Sequence, residues 1–165
     1  MFLAPTSGDI GVQPHGHTAR VINRSGGALV VGDLVVTSFA HASVTYPATT
    51  IAQARLTPFA NVVKADGSPV TLGFLGAVVD VGSSSGANGT EVVVQFGGVC
   101  KVKTTATAAV SIGSVLGPSD TAGELTTGAS TTSTYPAAIS LQALASGTAV
   151  IDVLLLSDLW FGADI

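Results

Sequence analysis

Aromatic rings, charge and cysteine are all scarce in this chain, and each scarcity closes off a class of function. Charged residues make up 10% and aromatics 5% of the 165 positions, with a single tryptophan and a single cysteine. One cysteine excludes an internal disulfide framework. Set in an apolar strand pattern, Cys100 reads as a small buried hydrophobe rather than a nucleophile. No apolar run approaches the roughly 20 residues that a membrane helix needs; the longest, Val150 to Leu156, is interrupted by Asp152. Met1 to Pro5 have neither the basic flank nor the long apolar core of a secretory signal. The net charge is −4, and the six cations Arg20, Arg24, Arg55, Lys64, Lys101 and Lys103 are scattered. The basic stripe with interleaved aromatics that a nucleic-acid groove requires is therefore missing. Lys101 and Lys103 share one strand face by the period of two, and they are the only basic pair. Neither nucleic acid nor a membrane is an expected partner.

What the chain does have is small apolar residues and turn formers: 47% of it is hydrophobic, and it holds twenty glycines and seven prolines. Val, Thr and Ile favour a pleated sheet, punctuated here by glycine and proline, so long helices are not expected. One pattern occurs twice. Ala28-Leu29-Val30-Val31-Gly32-Asp33-Leu34-Val35 is answered by Ala109-Val110-Ser111-Ile112-Gly113-Ser114-Val115-Leu116. Gly76-Ala77-Val78-Val79-Asp80-Val81 is answered by Ala138-Ile139-Ser140-Leu141-Gln142-Ala143, and Gly89-Thr90-Glu91-Val92-Val93-Val94 by Gly147-Thr148-Ala149-Val150-Ile151-Asp152-Val153. The expected fold is all-β: a β-barrel or β-sandwich built from two related β-modules, residues 19–99 and 100–156, with an extended N-terminal arm over 1–18 and a C-terminal aromatic tail over 157–165.

The arm reading rests on Pro5, Gly8, Gly11, Pro14 and Gly16, which leave residues 1–18 without helical or strand periodicity. Residues 19–24 and 28–37 read as strands of a β-meander, broken at Ser25-Gly26-Gly27 and Gly32-Asp33. Residues 38–71 read as a long excursion in which Thr50 to Leu56 make one or two helical turns before Pro58. Its shorter counterpart spans Gly117 to Pro136 and holds a hairpin at Thr121-Ala122-Gly123-Glu124. Leu72 to Val81 and Thr90 to Phe96 read as strands flanking a polar tip that ends in Asn88-Gly89, a hairpin signal. In the second of these, Thr90, Val92, Val94 and Phe96 form the core face. Val150 to Leu156 is apolar on both faces and reads as buried on both sides, at the centre of a sandwich or against another subunit. Asp152 within it is expected to find a cation or backbone amides, because an unpaired buried carboxylate is costly.

Chemistry is thinly represented. His15-Gly16-His17 has a spacing that chelates a transition metal, with His41 or Asp9 as a third ligand; the plainer reading is a solvated arm. Asp33, Asp80 and Asp152 accompany many Ser and Thr, but there is no G-x-S-x-G elbow. Gly26-Gly27 and Gly97-Gly98 precede strands, so neither is a phosphate-cradling loop before a helix. An enzyme is not expected, and no cofactor or metal is assigned. Trp160-Phe161 is either an anchor into a neighbour or a plug for the chain's own barrel.

The run Gly97 to Leu116, followed by Thr121-Ala122-Gly123-Glu124-Leu125-Thr126-Thr127 and by Ala137 to Val153, resembles the capsid decoration (cement) proteins of tailed bacteriophages. The resemblance covers residues 95–156, and residues 20–96 follow as a looser first copy. Ala138-Ile139-Ser140 departs from the family's preference for glycine before the strand, and the arm and tail lie outside the pattern. The resemblance implies a barrel or sandwich, commonly a homotrimer, that docks on the outer surface of an assembled capsid and braces the major capsid protein, without catalytic residues. On that reading the chain resides on the virion's outer capsid surface, and Phe2, Leu3, Pro5, His15, His17, Trp160 and Phe161 are the expected partner-binding residues. The competing reading is a head-fibre base or adhesin module whose Ser/Thr/Gly loops bind a host cell-surface glycan.

Overall fold

A computed structural model describes residues 17–37, 61–65, 74–127 and 136–156. Ten strands form two closed five-stranded barrels. The first barrel holds β1 (His17–Asn23), β2 (Leu34–Thr37), β3 (Asn61–Lys64), β4 (Leu75–Asp80) and β5 (Glu91–Phe96). The second holds β6 (Gly98–Ala106), β7 (Val115–Pro118), β8 (Leu125–Thr126), β9 (Ala138–Ser140) and β10 (Gly147–Leu155). In each, the first strand pairs in parallel with the third and antiparallel with the fifth, while the second runs antiparallel between the third and the fourth. The fourth and fifth close the ring antiparallel. The all-β expectation from two related modules therefore holds, with barrels in place of a sandwich.

The repeat written in the sequence is reproduced bond for bond at the turn before β2 and β7. Asp33 N donates to Val30 O and Ser114 N to Ser111 O, both at 3.0 Å. Gly32 N donates to Val78 O and Gly113 N to Ser140 O, both at 2.8 Å. Both glycines have positive φ, +93° and +85°, a region that a side chain disfavours. Register extends the match: Val21, Val35, Val62, Val78 and Val94 inside the first barrel correspond to Val102, Leu116, Leu125, Ser140 and Val153 inside the second.

Three expectations need correction. β1 does not meander into β2; its neighbours are β3 and β5, because residues 24–33 cross the barrel end, where Leu29 N bonds Gly86 O at 2.9 Å. The excursion conceals a strand, since Asn61–Lys64 is β3. Finally, β10 is not the centre of a sandwich, and within the single chain it is buried on one side. Ile151, Val153 and Leu155 face the core, while Val150 is 45% exposed and Asp152 and Leu154 are half-buried, as the single interior of a closed barrel requires. β1 begins at His17, inside the segment expected to form the arm; residues 1–16, the helical turns of 50–56 and the tail lie outside the described residues.

The hydrophobic burial is almost wholly aliphatic, with polar residues such as Asn23, Thr37 and Ser140 buried beside it. One cluster of Val21, Leu29, Val35, Val62, Val78, Val92 and Val94 fills the first barrel. A second joins the interior of the second barrel, including Leu116, Leu125, Ile151 and Val153, to the outward face of β2 and β4, namely Leu34, Val36, Leu75 and Ala77. The two barrels thus share a core. The close crossing at Leu29 makes a specific demand: a Cβ on Gly86 (φ +64°) would lie 2.1 Å from the Leu29 carbonyl oxygen, whereas one on Gly26 (φ +78°) meets nothing within 4 Å. Gly26→Ala should cost about 1–2 kcal/mol from backbone conformation alone. Gly86→Ala should cost clearly more, and urea unfolding midpoints of the two variants measure the difference.

Candidate functional site

The polar chemistry of the described residues gathers where the barrels meet. Lys103 N, on β6, donates to Gly32 O at 2.7 Å; Leu34 N donates to Gly123 O at 2.8 Å, and Gly123 N to Ala65 O at 2.7 Å. Around these backbone bonds lie four charges. Lys64 Nζ is 3.1 Å from Asp33 Oδ2 in the first barrel, and Lys103 Nζ is 2.8 Å from Glu124 Oε1 in the second. Asp33 and Glu124 are buried while both lysines reach solvent. Buried carboxylates of this kind need partners. Asp33 has a second one in Val30 N at 3.0 Å, and Glu124 accepts from the Thr105 hydroxyl.

The pairs also act across the junction. Burial alone would raise the Glu124 carboxyl, but hydrogen bonds from Lys103 and Thr105, with the charges of Lys103 and Lys64, outweigh it and hold the group below its ordinary value. Lys103 is raised, chiefly by its hydrogen bond to Glu124, against the opposing effect of burial and with help from the charges of Glu124 and Asp33. The cluster is structural chemistry: each ion pair closes within its own barrel, and the two feel each other through the charge of Lys64 on Glu124 and of Asp33 on Lys103, while backbone bonds join the barrels.

Other singled-out residues are also engaged. Lys101 Nζ lies 3.0 Å from Asp152 Oδ1, so Asp152 finds the expected cation and the Lys101/Lys103 pair is neutralised by carboxylates. Arg20 pairs with Glu91 at 2.8 Å on the matching face of the first barrel. Cys100 is buried, and its thiol is pushed up to about 12 by burial and by the charge of Asp152. Among the described residues no group of three or more His, Cys, Asp or Glu could hold a metal. His17 opens β1 opposite Phe96. Phe2, Leu3, Pro5, His15, His41, Trp160 and Phe161 lie outside the described residues.

Composition did not mark out the exposed aliphatics. Val30, Val31, Val99, Ile112, Val115, Leu141 and Val150 are each at least 40% exposed. Three of them adjoin: Val115 is opposite Ile139 on β9, and the Gly113 N to Ser140 O bond brings Ile112 beside Leu141. The signal for them was the second copy of the repeat, read against the first. Comparison with models of known protein families and with curated proteins finds no match.

Two outcomes follow from this chemistry. The unfolded chain holds Glu124 at its ordinary 4.5 and the folded chain holds it lower, so its contribution is present above that value and is lost as pH falls through the folded pKa. Glu124→Gln should cost about 1.5–3 kcal/mol near neutrality, the range for a charge-assisted hydrogen bond, and should flatten the acid limb of stability in urea unfolding across pH. Cys100 should ignore a thiol-reactive disulfide reagent at about pH 8 until the protein is unfolded, which a timed absorbance assay reads directly.

Proposed function

We propose that this chain is a structural virion protein of a tailed phage, a homotrimer that binds the outside of the assembled capsid and braces contacts between major capsid proteins. The observation that carries the reading is the set of exposed aliphatic side chains on a closed, hydrogen-bonded β frame, which offers contact area fixed in place both to further copies in a homotrimer and to a capsid. The sequence resemblance over residues 95–156 supplies the partner.

The physics suits a brace. A ligand that binds only the assembled lattice stabilises that lattice by mass action, and modest contacts repeated by symmetry act together through effective concentration. A barrel has no free sheet edge to recruit unwanted strands, and a core of valine and leucine needs no metal or disulfide at this chain length. The arm and the aromatic tail lie at the two ends of the sequence and supply further contacts in this proposal.

Purified protein should co-sediment with expanded, assembled capsids and leave free capsid subunit in solution. Equal binding to both would overturn the reading, and retention on a glycan array without capsid binding would favour the adhesin. Trp160→Ala should weaken capsid binding by about thirtyfold, corresponding to the roughly 2 kcal/mol of an aromatic interface anchor.

A further inference from the structure

The two barrels match in topology and register, yet their equivalent faces meet different fates. On the first barrel Leu34 is opposite Ala77, both point outward, and both are fully buried by the second barrel. The matching pair on the second barrel is Val115 opposite Ile139; Val115 is 59% exposed and Ile139 half-buried. Ile112 and Leu141, which match Val31 and Val79, extend this face, and Ile112 is 71% exposed. Aliphatic side chains hold these positions on both barrels; among the described residues the Leu34–Ala77 pair is fully covered and the Val115–Ile139 pair is not, while Val31, the match of Ile112, stays 49% exposed at the edge of the junction.

Charge carries the argument further. Each member of the junction cluster has a register equivalent in the other barrel. Asp33 and Lys64 correspond to Ser114 and Thr127 on the uncovered side of the second barrel. Lys103 and Glu124 correspond to half-buried Ile22 and to Asn61, which is buried and accepts from Arg24 Nε at 3.3 Å. All four charges are absent together. Had any one been kept alone, the same junction formed between two molecules would bury it without its partner, which is strongly unfavourable. The positions equivalent to the junction cluster are thus uncharged on both barrels, Ser114 and Thr127 on the second and Ile22 and Asn61 on the first, where Arg24 and the Arg20–Glu91 pair lie beside them. Glu91, at the position of Val150, is already paired with Arg20.

We infer that the outward face of β7 and β9 receives the first barrel of another copy of this chain, so that the junction between the barrels of one molecule is repeated head to tail between molecules. Such a contact is heterologous, with different residues on its two sides, and repetition closes it into a ring of alternating first and second barrels. The inference deepens the homotrimer of the proposed function by naming its interface, and rests on that reading only for the number of copies.

Light scattering should find wild-type protein as a closed oligomer of defined mass. Ile112→Glu with Val115→Glu should shift it to monomer, weakening association at least tenfold while the variant keeps its β-sheet circular dichroism spectrum, since both positions are exposed in the single chain. In a Cys100→Ala background, which places the residue of the matching Ala19 in the second barrel, Ile112→Cys and Glu91→Cys variants should cross-link when mixed, and neither should cross-link alone. A monomer at every concentration, an oligomer indifferent to the paired substitution, or self-cross-linking of Ile112→Cys would each overturn the inference. A monomer that still binds capsids would sink the interface alone; a ring that ignores capsids would sink only the capsid reading.

Discussion

The constraint on which the structure depends is that two similar barrels must meet through dissimilar faces. Where Lys103 N reaches Gly32 O, a strand of the second barrel is tied to a turn of the first, and the approach is close enough that Val150 methyls lie 3.2 Å from where a Gly32 side chain would begin. That turn has positive φ, so glycine serves both the backbone conformation and the contact. Asp33, one residue on, is then carried into the junction, where burial without Lys64 and its own turn amide would cost more than the contact returns. The charges are thus a consequence of the close approach. They fix the relative placement of two shells whose aliphatic surfaces alone would tolerate sliding.

Much of this was legible because turns write strong local signals. Ala28 to Val35 and Ala109 to Leu116 were recognisable as copies, and the matching bonds at Asp33 and Ser114 follow from the same glycine-centred turn. Strand alternation in Thr90 to Phe96 placed Val92 and Val94 inside. β3 was hidden: four residues, Asn61–Lys64, paired in parallel with a strand far away in sequence, carry too short a pattern to stand out from a long excursion. Its counterpart is only two residues long. The run at Val150 suggested a sandwich centre because hydrophobicity does not say which face of a strand a closed barrel can bury.

The junction cluster was illegible for a different reason. Glu124 reads as a hairpin residue and Lys103 as half of a basic pair, and nothing local joins either to the other or to Asp33 and Lys64. Only barrel closure brings β6 alongside β8 and sets Thr105 and Lys103 beside Glu124. Such a site is defined by long-range pairing, and a single sequence records its members without their adjacency. The expected contact residues in the arm and tail lie outside the described residues, so the exposed aliphatic face is what the structure itself adds.

Tandem duplication carries a consequence of its own. A module that docks through one face onto a different face of its twin leaves one face of each kind unused at the ends of the pair. In repeat proteins, such ends are commonly made polar to prevent further stacking. Here the four junction charges have uncharged counterparts at the equivalent positions, while Ile112, Val115 and Leu141 remain exposed. Random drift toward solubility would add charge at these positions, because an exposed aliphatic face promotes association. The opposite pattern, aliphatics kept on β7 and β9 and the junction charges absent at their equivalent positions, is the composition of an interface. Contact with a second copy gives those side chains a burial that the single chain denies them, and it requires no residue on either side to give up a charged partner.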